Sequence, residues 1–203
     1  MIYTMRNLTL SLMLSILVLA FLSTPAHAAI SYIGSVTDDS NNDEASLTVP
    51  ASVQTDDVLL VQITIRNRSG SDGVTTPSGW TLIASQDRDD NVLQSLYYRV
   101  ATAGNAGASY TWDFDGNGNR RYVVGMSVFR GVDTSNPIDQ QNSQTGMSFS
   151  SITAPSVTTT AANAMLVAFY TLEAGDQSFS PGLGMSEAYD EEENNNTNGI
   201  SSM

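Results

Sequence analysis

Asp57 to Arg66 reads DVLLVQITIR, and this stretch decides the fold class. Its second half alternates, with Val61, Ile63 and Ile65 on one face and Gln62, Thr64 and Arg66 on the other. That two-residue period is the period of a strand. Its first half, Val58-Leu59-Leu60, is apolar on both faces. A strand needs that composition where it is covered above and below, as at the centre of a sandwich.

Working outward, the same chemistry recurs in short runs of Val, Ile, Thr, Tyr and Phe between Gly, Pro, Asn and Asp clusters. Strands are expected over 30–37, 46–49, 80–85, 92–101, 108–114, 122–130, 156–160 and 164–172, with a weaker one near 185–189. Leu96, Tyr98 and Val100 share one face, as do Tyr110, Trp112 and Phe114, and Val124, Met126 and Val128. No long stretch has helical apolar periodicity. About ten strands, spaced by turn signals roughly every 8–15 residues, predict an all-β, antiparallel two-sheet sandwich. Its length favours a jelly-roll-like form over a minimal immunoglobulin domain. The acidic segments 38–44 (DDSNNDE), 87–91 (DRDDN) and 190–198 (DEEENNNTN) read as solvated loops.

The N-terminus predicts export. Arg6 precedes the apolar run Leu8 to Leu22, Ser23-Thr24-Pro25 break it, and Ala26-His27-Ala28 supplies a small-residue cleavage site. The run is too short to span a bilayer. Residues 1–28 are thus expected to be a signal peptide, and 29–203 a single sandwich domain, secreted or at the cell surface. Loss of Arg6 takes the formal net charge from −13 to about −14. Such a surface repels nucleic-acid phosphates and anionic headgroups. Neither nucleic acid nor, after cleavage, a membrane is expected as partner.

The residues absent from 29–203 restrict the chemistry more than those present. The one His is His27, inside the leader, and the chain has no Cys and no Lys. A Ser-His-Asp triad, a Cys nucleophile, a Lys Schiff base and a His-ligated zinc are therefore ruled out there. Carboxylate chemistry survives, since a glycosidase needs only two acids. Glu173, following the apolar run AMLVAFYTL, is the best single candidate, but it also reads as the start of a loop and has no evident partner. The expectation is a protein that is not an enzyme.

Three binding features remain. Asp113, Asp115, Asn117 and Asn119, with Gly at 116 and 118, carry oxygens in the opening spacing of a calcium loop. The twelfth position is Val124 instead of a bidentate Glu, and strands instead of helices flank the segment. The same residues read as a Gly/Asn-rich hairpin turn, with weak calcium binding as the alternative. Among the aromatics, Trp80, Tyr98, Trp112 and Phe114 are assigned to the core. Tyr97, opposite in phase to Tyr98, is the expected exposed aromatic and a candidate sugar-stacking ligand residue. Arg66, Arg68, Arg120 and Arg121 are expected to pair locally with Asp.

The segments DVLLVQITIR, TPSGWTLIASQDR, LQSLYYRVATAGNAGASYTWDF, VVGMSVFRGVDTSNPID and ITAPSVTTTAANAMLVAFY together resemble a family of uncharacterised bacterial and phage extracellular β-sandwich domains. The likeness runs from about Ile30 to Tyr189 and is most specific in Pro77-Ser78-Gly79-Trp80-Thr81 and in 130–139 (RGVDTSNPID). It implies a module of surface or adhesin-like proteins and brings no catalytic residues. Members of that family continue past the acidic loop into a closing strand. Here the expectation is a fragment, or a closing strand supplied by a neighbouring subunit through an open sheet edge. The functional expectation is a structural or surface-attachment domain. The alternative is a carbohydrate-binding module for a surface glycan, with calcium the one inorganic group left open; a carboxylate-based glycan-active enzyme is the third reading.

Overall fold

The computed structural model describes residues 29–66, 73–89, 91–115, 118–146, 152–173 and 178–193, and the backbone of 200–202. The leader 1–28, Arg68 and Asn117 lie outside these. The described chain is all-β, with strands β1 (Ser31–Asn42), β2 (Glu44–Thr48), β3 (Val58–Arg66), β4 (Val74–Thr75), β5 (Thr81–Arg88), β6 (Val92–Val100), β7 (Ser109–Phe114), β8 (Arg120–Arg130), β9 (Thr171–Leu172), β10 (Glu191–Glu193) and β11 (Ile200–Ser202).

Two antiparallel sheets form the sandwich, five strands in the order β1-β8-β3-β6-β5 facing three in the order β2-β7-β4. The pairings are nested: β1 with β8, β2 with β7, β3 with β6. Closing a jelly roll would next pair β4 with β5; here β5 pairs with β6 instead.

β3 occupies the position that its composition requires. It lies between β8 and β6, and every residue from Val58 to Ile65 is buried. Leu59, Val61, Ile63 and Ile65 enter the core between the sheets, beside Trp112, Phe114, Val124, Met126 and Val128. Each such aliphatic side chain contributes roughly 1.5–3 kcal/mol of burial. Val58 and Leu60 face the other way, joining Phe129, Tyr98, Val100, Val167 and Phe169 in a second cluster. The five-stranded sheet is thus covered on both faces, and its outer cover is built by residues 152–193.

That outer layer departs from the expected strands. Of 156–160, 164–172 and 185–189, only Thr171–Leu172 enters a sheet, with β11 and β10. Residues 164–170 run without joining a ladder, and among the described residues their backbone makes no hydrogen bond to backbone. Strand composition alone does not make a strand; a neighbour must supply the other half of each bond.

The acidic segments also depart from expectation. Asp38 to Asn42 continue β1 along the end of β8, Glu44 opens β2, and Asp87 and Arg88 end β5. Glu191 to Glu193 form β10, where Glu193 is buried against Arg121 at 2.9 Å. A charged residue can enter a ladder when its side chain finds a counter-charge, a contingency invisible in composition.

Candidate functional site

The two most specific segments are structural. In Pro77 to Thr81, Gly79 sits at φ +83°, where a Cβ would meet the Arg99 guanidinium at 2.5 Å. Arg99 donates to the Ser78 carbonyl at 2.9 Å and lies over the Tyr110 ring at 4.9 Å. The turn delivers Trp80 into an aromatic cluster, 5.2 Å from Trp112 and 5.5 Å from Tyr110. In the second segment, Arg130 donates from Nε and Nη2 to the two oxygens of buried Asp57, each at 2.7 Å. The backbone N–H of Gln54 adds a bond at 2.8 Å. The Arg130 hydrogen bonds hold the Asp57 carboxyl below the usual carboxylate range, outweighing its burial, with the Gln54 bond helping. Asp133 accepts from the Ser135 backbone, and Asp139 accepts from the backbone N–H groups of Thr160 and Ala161, which anchors the start of the outer layer.

The sequence candidates fare differently. Tyr97 is a correction: it is 3% exposed and belongs to the core between the sheets. Tyr98 faces the outer cluster. The alternation was right and the assignment of faces was inverted, because both faces of β6 are covered and phase alone cannot say which is wetter. Trp80, Trp112, Phe114 and Tyr122 are buried as expected.

The calcium-type segment is divided. Asp113 is exposed on β7, opposite Glu44 and Thr75 in the register. Asp115 accepts from the Thr75 hydroxyl at 2.8 Å, and Asn119 donates its amide to the Asn41 carbonyl at 3.1 Å. Gly118 has the positive φ (+98°) of a turn. Among the described residues, no three His, Cys, Asp or Glu side chains are grouped to hold a metal ion.

Glu173 is bound on both oxygens, by Arg66 at 2.9 Å and Arg88 at 2.8 Å. Arg66 pairs with Glu173 and Arg121 with Glu193, while Arg120 donates to the carbonyls of Gly118 and Asn119. Five carboxylates, Asp38, Asp39 and Glu191 to Glu193, gather where β10 meets β1. Desolvation first, then Glu191 and its neighbours, push Asp39 above the usual carboxylate range.

The feature missed by the sequence reading lies on the outer face. A groove of about 1050 Å³ runs between the five-stranded sheet and the outer layer, lined by residues of β1, β8, 152, 165–170, 172 and 178–189. Seven large hydrophobics stand exposed among the described residues, and six of them line this groove: Tyr32, Ile152, Met165, Leu166, Leu183 and Met185. Its one charged lining residue is Glu187. The groove rests on a polar ladder. Tyr189 donates to Gln62 Oε1 at 2.7 Å, Gln62 donates to the Tyr170 carbonyl at 2.9 Å, and Thr171 bonds to both Thr64 and Gln94 at 2.8 Å. The signal was present in AMLVAFY, which carries more apolar surface than a single sheet face can cover.

Fold and site together define an antiparallel β-sandwich with an apolar groove on its outer face. No protein-family model, curated protein or solved structure matches the chain.

Proposed function

We propose that this protein is an exported, non-catalytic β-sandwich with a structural or surface-attachment role. Its working contact is the outer groove, which receives an extended apolar segment of a neighbouring subunit. The observation that carries this reading is the concentration of six exposed large hydrophobics around one groove, beside a segment, 164–170, whose backbone makes no hydrogen bond to backbone among the described residues. Contiguous apolar surface of this kind marks an interaction site, and unpaired backbone supplies the hydrogen bonds of strand addition. Val167 and Phe169 pack onto the sheet while Leu166, 65% exposed, faces out. That alternation is the edge of a strand awaiting a partner.

Export is supported by the leader pattern, and absence of catalysis by a chain from 29 onward without imidazole, thiol or amine side chains. The likeness to extracellular surface modules points the same way. Sedimentation of the purified protein tests the contact. Association should grow with protein concentration and with salt, which screens two acidic copies. Leu166→Arg should abolish it while the melting temperature stays within a few degrees. A protein that remains monomeric at about millimolar concentration in high salt would refute the proposal.

A further inference from the structure

A second, smaller cavity of about 120 Å³ adjoins the groove and shares Phe169 and Tyr170 with it. Its polar floor comes from neighbouring strands. Gln86 of β5 stands opposite Gln94 of β6, and Arg88 stands opposite Val92, so all three polar side chains share the outer face. Their hydrogen-bonding capacity is only partly used. Gln94 gives Nε2 to Thr171 at 2.8 Å and keeps its amide oxygen open. Arg88 gives Nη1 to Glu173 at 2.8 Å and, among the described residues, keeps its Nε–Nη2 edge, in a side chain 28% exposed. The Gln86 amide makes no side-chain hydrogen bond among the described residues.

The cavity therefore offers a planar donor edge, an acceptor, and an amide that does both. A hydroxyl group donates and accepts at once, so adjacent ring hydroxyls can satisfy the whole set. A carboxylate or phosphate leaves the acceptors unmet, and the chain's net charge of −13 repels it. An apolar ligand would leave the remaining donors and acceptors of Gln86, Arg88 and Gln94 without partners. Phe169, packed on the sheet, and Tyr170, stacked on Phe179 at 6.4 Å between ring centroids, line the cavity on its side toward the groove.

We propose that this cavity binds one neutral saccharide unit of a glycan, gripped by Gln86, Arg88 and Gln94, with Glu173 as a positioning residue that holds Arg88 in place. The site adjoins the strand-accepting groove and shares Phe169, Tyr170 and Leu172 with it, but Leu166 lines only the groove, and the site uses none of the residues of the sequence-expected sugar platform.

Ligand-detected saturation-transfer NMR on the purified protein tests it, with a panel of methyl hexosides and the matching methyl uronosides. At least one neutral hexoside should bind with a Kd of about millimolar or tighter. Gln86→Ala and Arg88→Lys should each weaken it by about tenfold without lowering the melting temperature appreciably. Leu166→Arg should leave sugar binding unchanged, so this test and the association test fail independently. No hexoside signal at about 10 mM, tighter binding of the uronosides, or binding indifferent to both Gln86→Ala and Arg88→Lys would overturn the proposal.

Discussion

Gly125 shows how single residues decide what the outer face can hold. It lies in β8 beneath the Tyr189 ring, where an added Cβ would come within 2.3 Å of the ring. The Tyr189 hydroxyl is held by Gln62, the cross-strand neighbour of Gly125, so the ring cannot retreat without giving up a buried hydrogen bond. Gly125→Ala should therefore cost about 1–3 kcal/mol and loosen the outer layer first, which chymotryptic digestion should reveal as early cleavage near Leu166, Phe169 and Tyr170. The Asp57–Arg130 pair is the second such position. Asp57 is 1% exposed, so Arg130→Ala strands a buried carboxylate and should destabilise by about 2–4 kcal/mol in urea unfolding; a change below about 0.5 kcal/mol would show the pair to be incidental. Tyr97 marks the limit of sequence reading at this scale. Its phase relative to Tyr98 was legible, but which face met water depended on a layer built from residues far along the chain.

Among the elements, legibility followed partnership. β3, β6, β7 and β8 could be read directly, because each is a long alternating or doubly apolar run paired over most of its length. Ala164 to Leu172 has the same composition and reads as a strand, yet only its last two residues are paired. Propensity records what a segment can do, and the ladder needs a second segment. The acidic segments erred in the other direction, since Arg121 draws Glu193 into burial. The small polar cavity was illegible for a related reason: Gln86 and Gln94 lie on two strands and Glu173 just beyond a third, and only the fold gathers them. This division has an energetic consequence. Ile63→Ala, in the core between the sheets, should cost about 2–5 kcal/mol. Leu166→Ser, on the groove wall, should change stability by less than about 0.5 kcal/mol. Thermal melts of the two variants distinguish a core element from a docking element, and similar losses in both would mean that the groove is part of the core.

For the whole molecule, the charge balance sets the response to pH and salt. Asp57 has a lowered pKa, so its contribution is present above the ordinary carboxylate value of about 3.9 and disappears as pH falls through its lower folded value. Asp39 has a raised pKa, so stability is gained as pH falls from neutral through that raised value. The net charge of −13 acts in the same direction as Asp39, because protonation relieves self-repulsion. The melting temperature should therefore rise between about pH 7 and pH 5 and fall below about pH 4, and added salt should raise it at pH 7. A melting temperature that falls steadily from neutral pH downward would contradict this balance. The central claim is that the outer face receives an extended strand along Ala164 to Tyr170. Amide hydrogen exchange on dilute and concentrated protein tests it most directly. In the monomer these amides should exchange nearly unprotected while β3 and β8 hold; in the assembly their exchange should slow by at least about tenfold. Identical exchange at 164–170 in both samples would contradict the account.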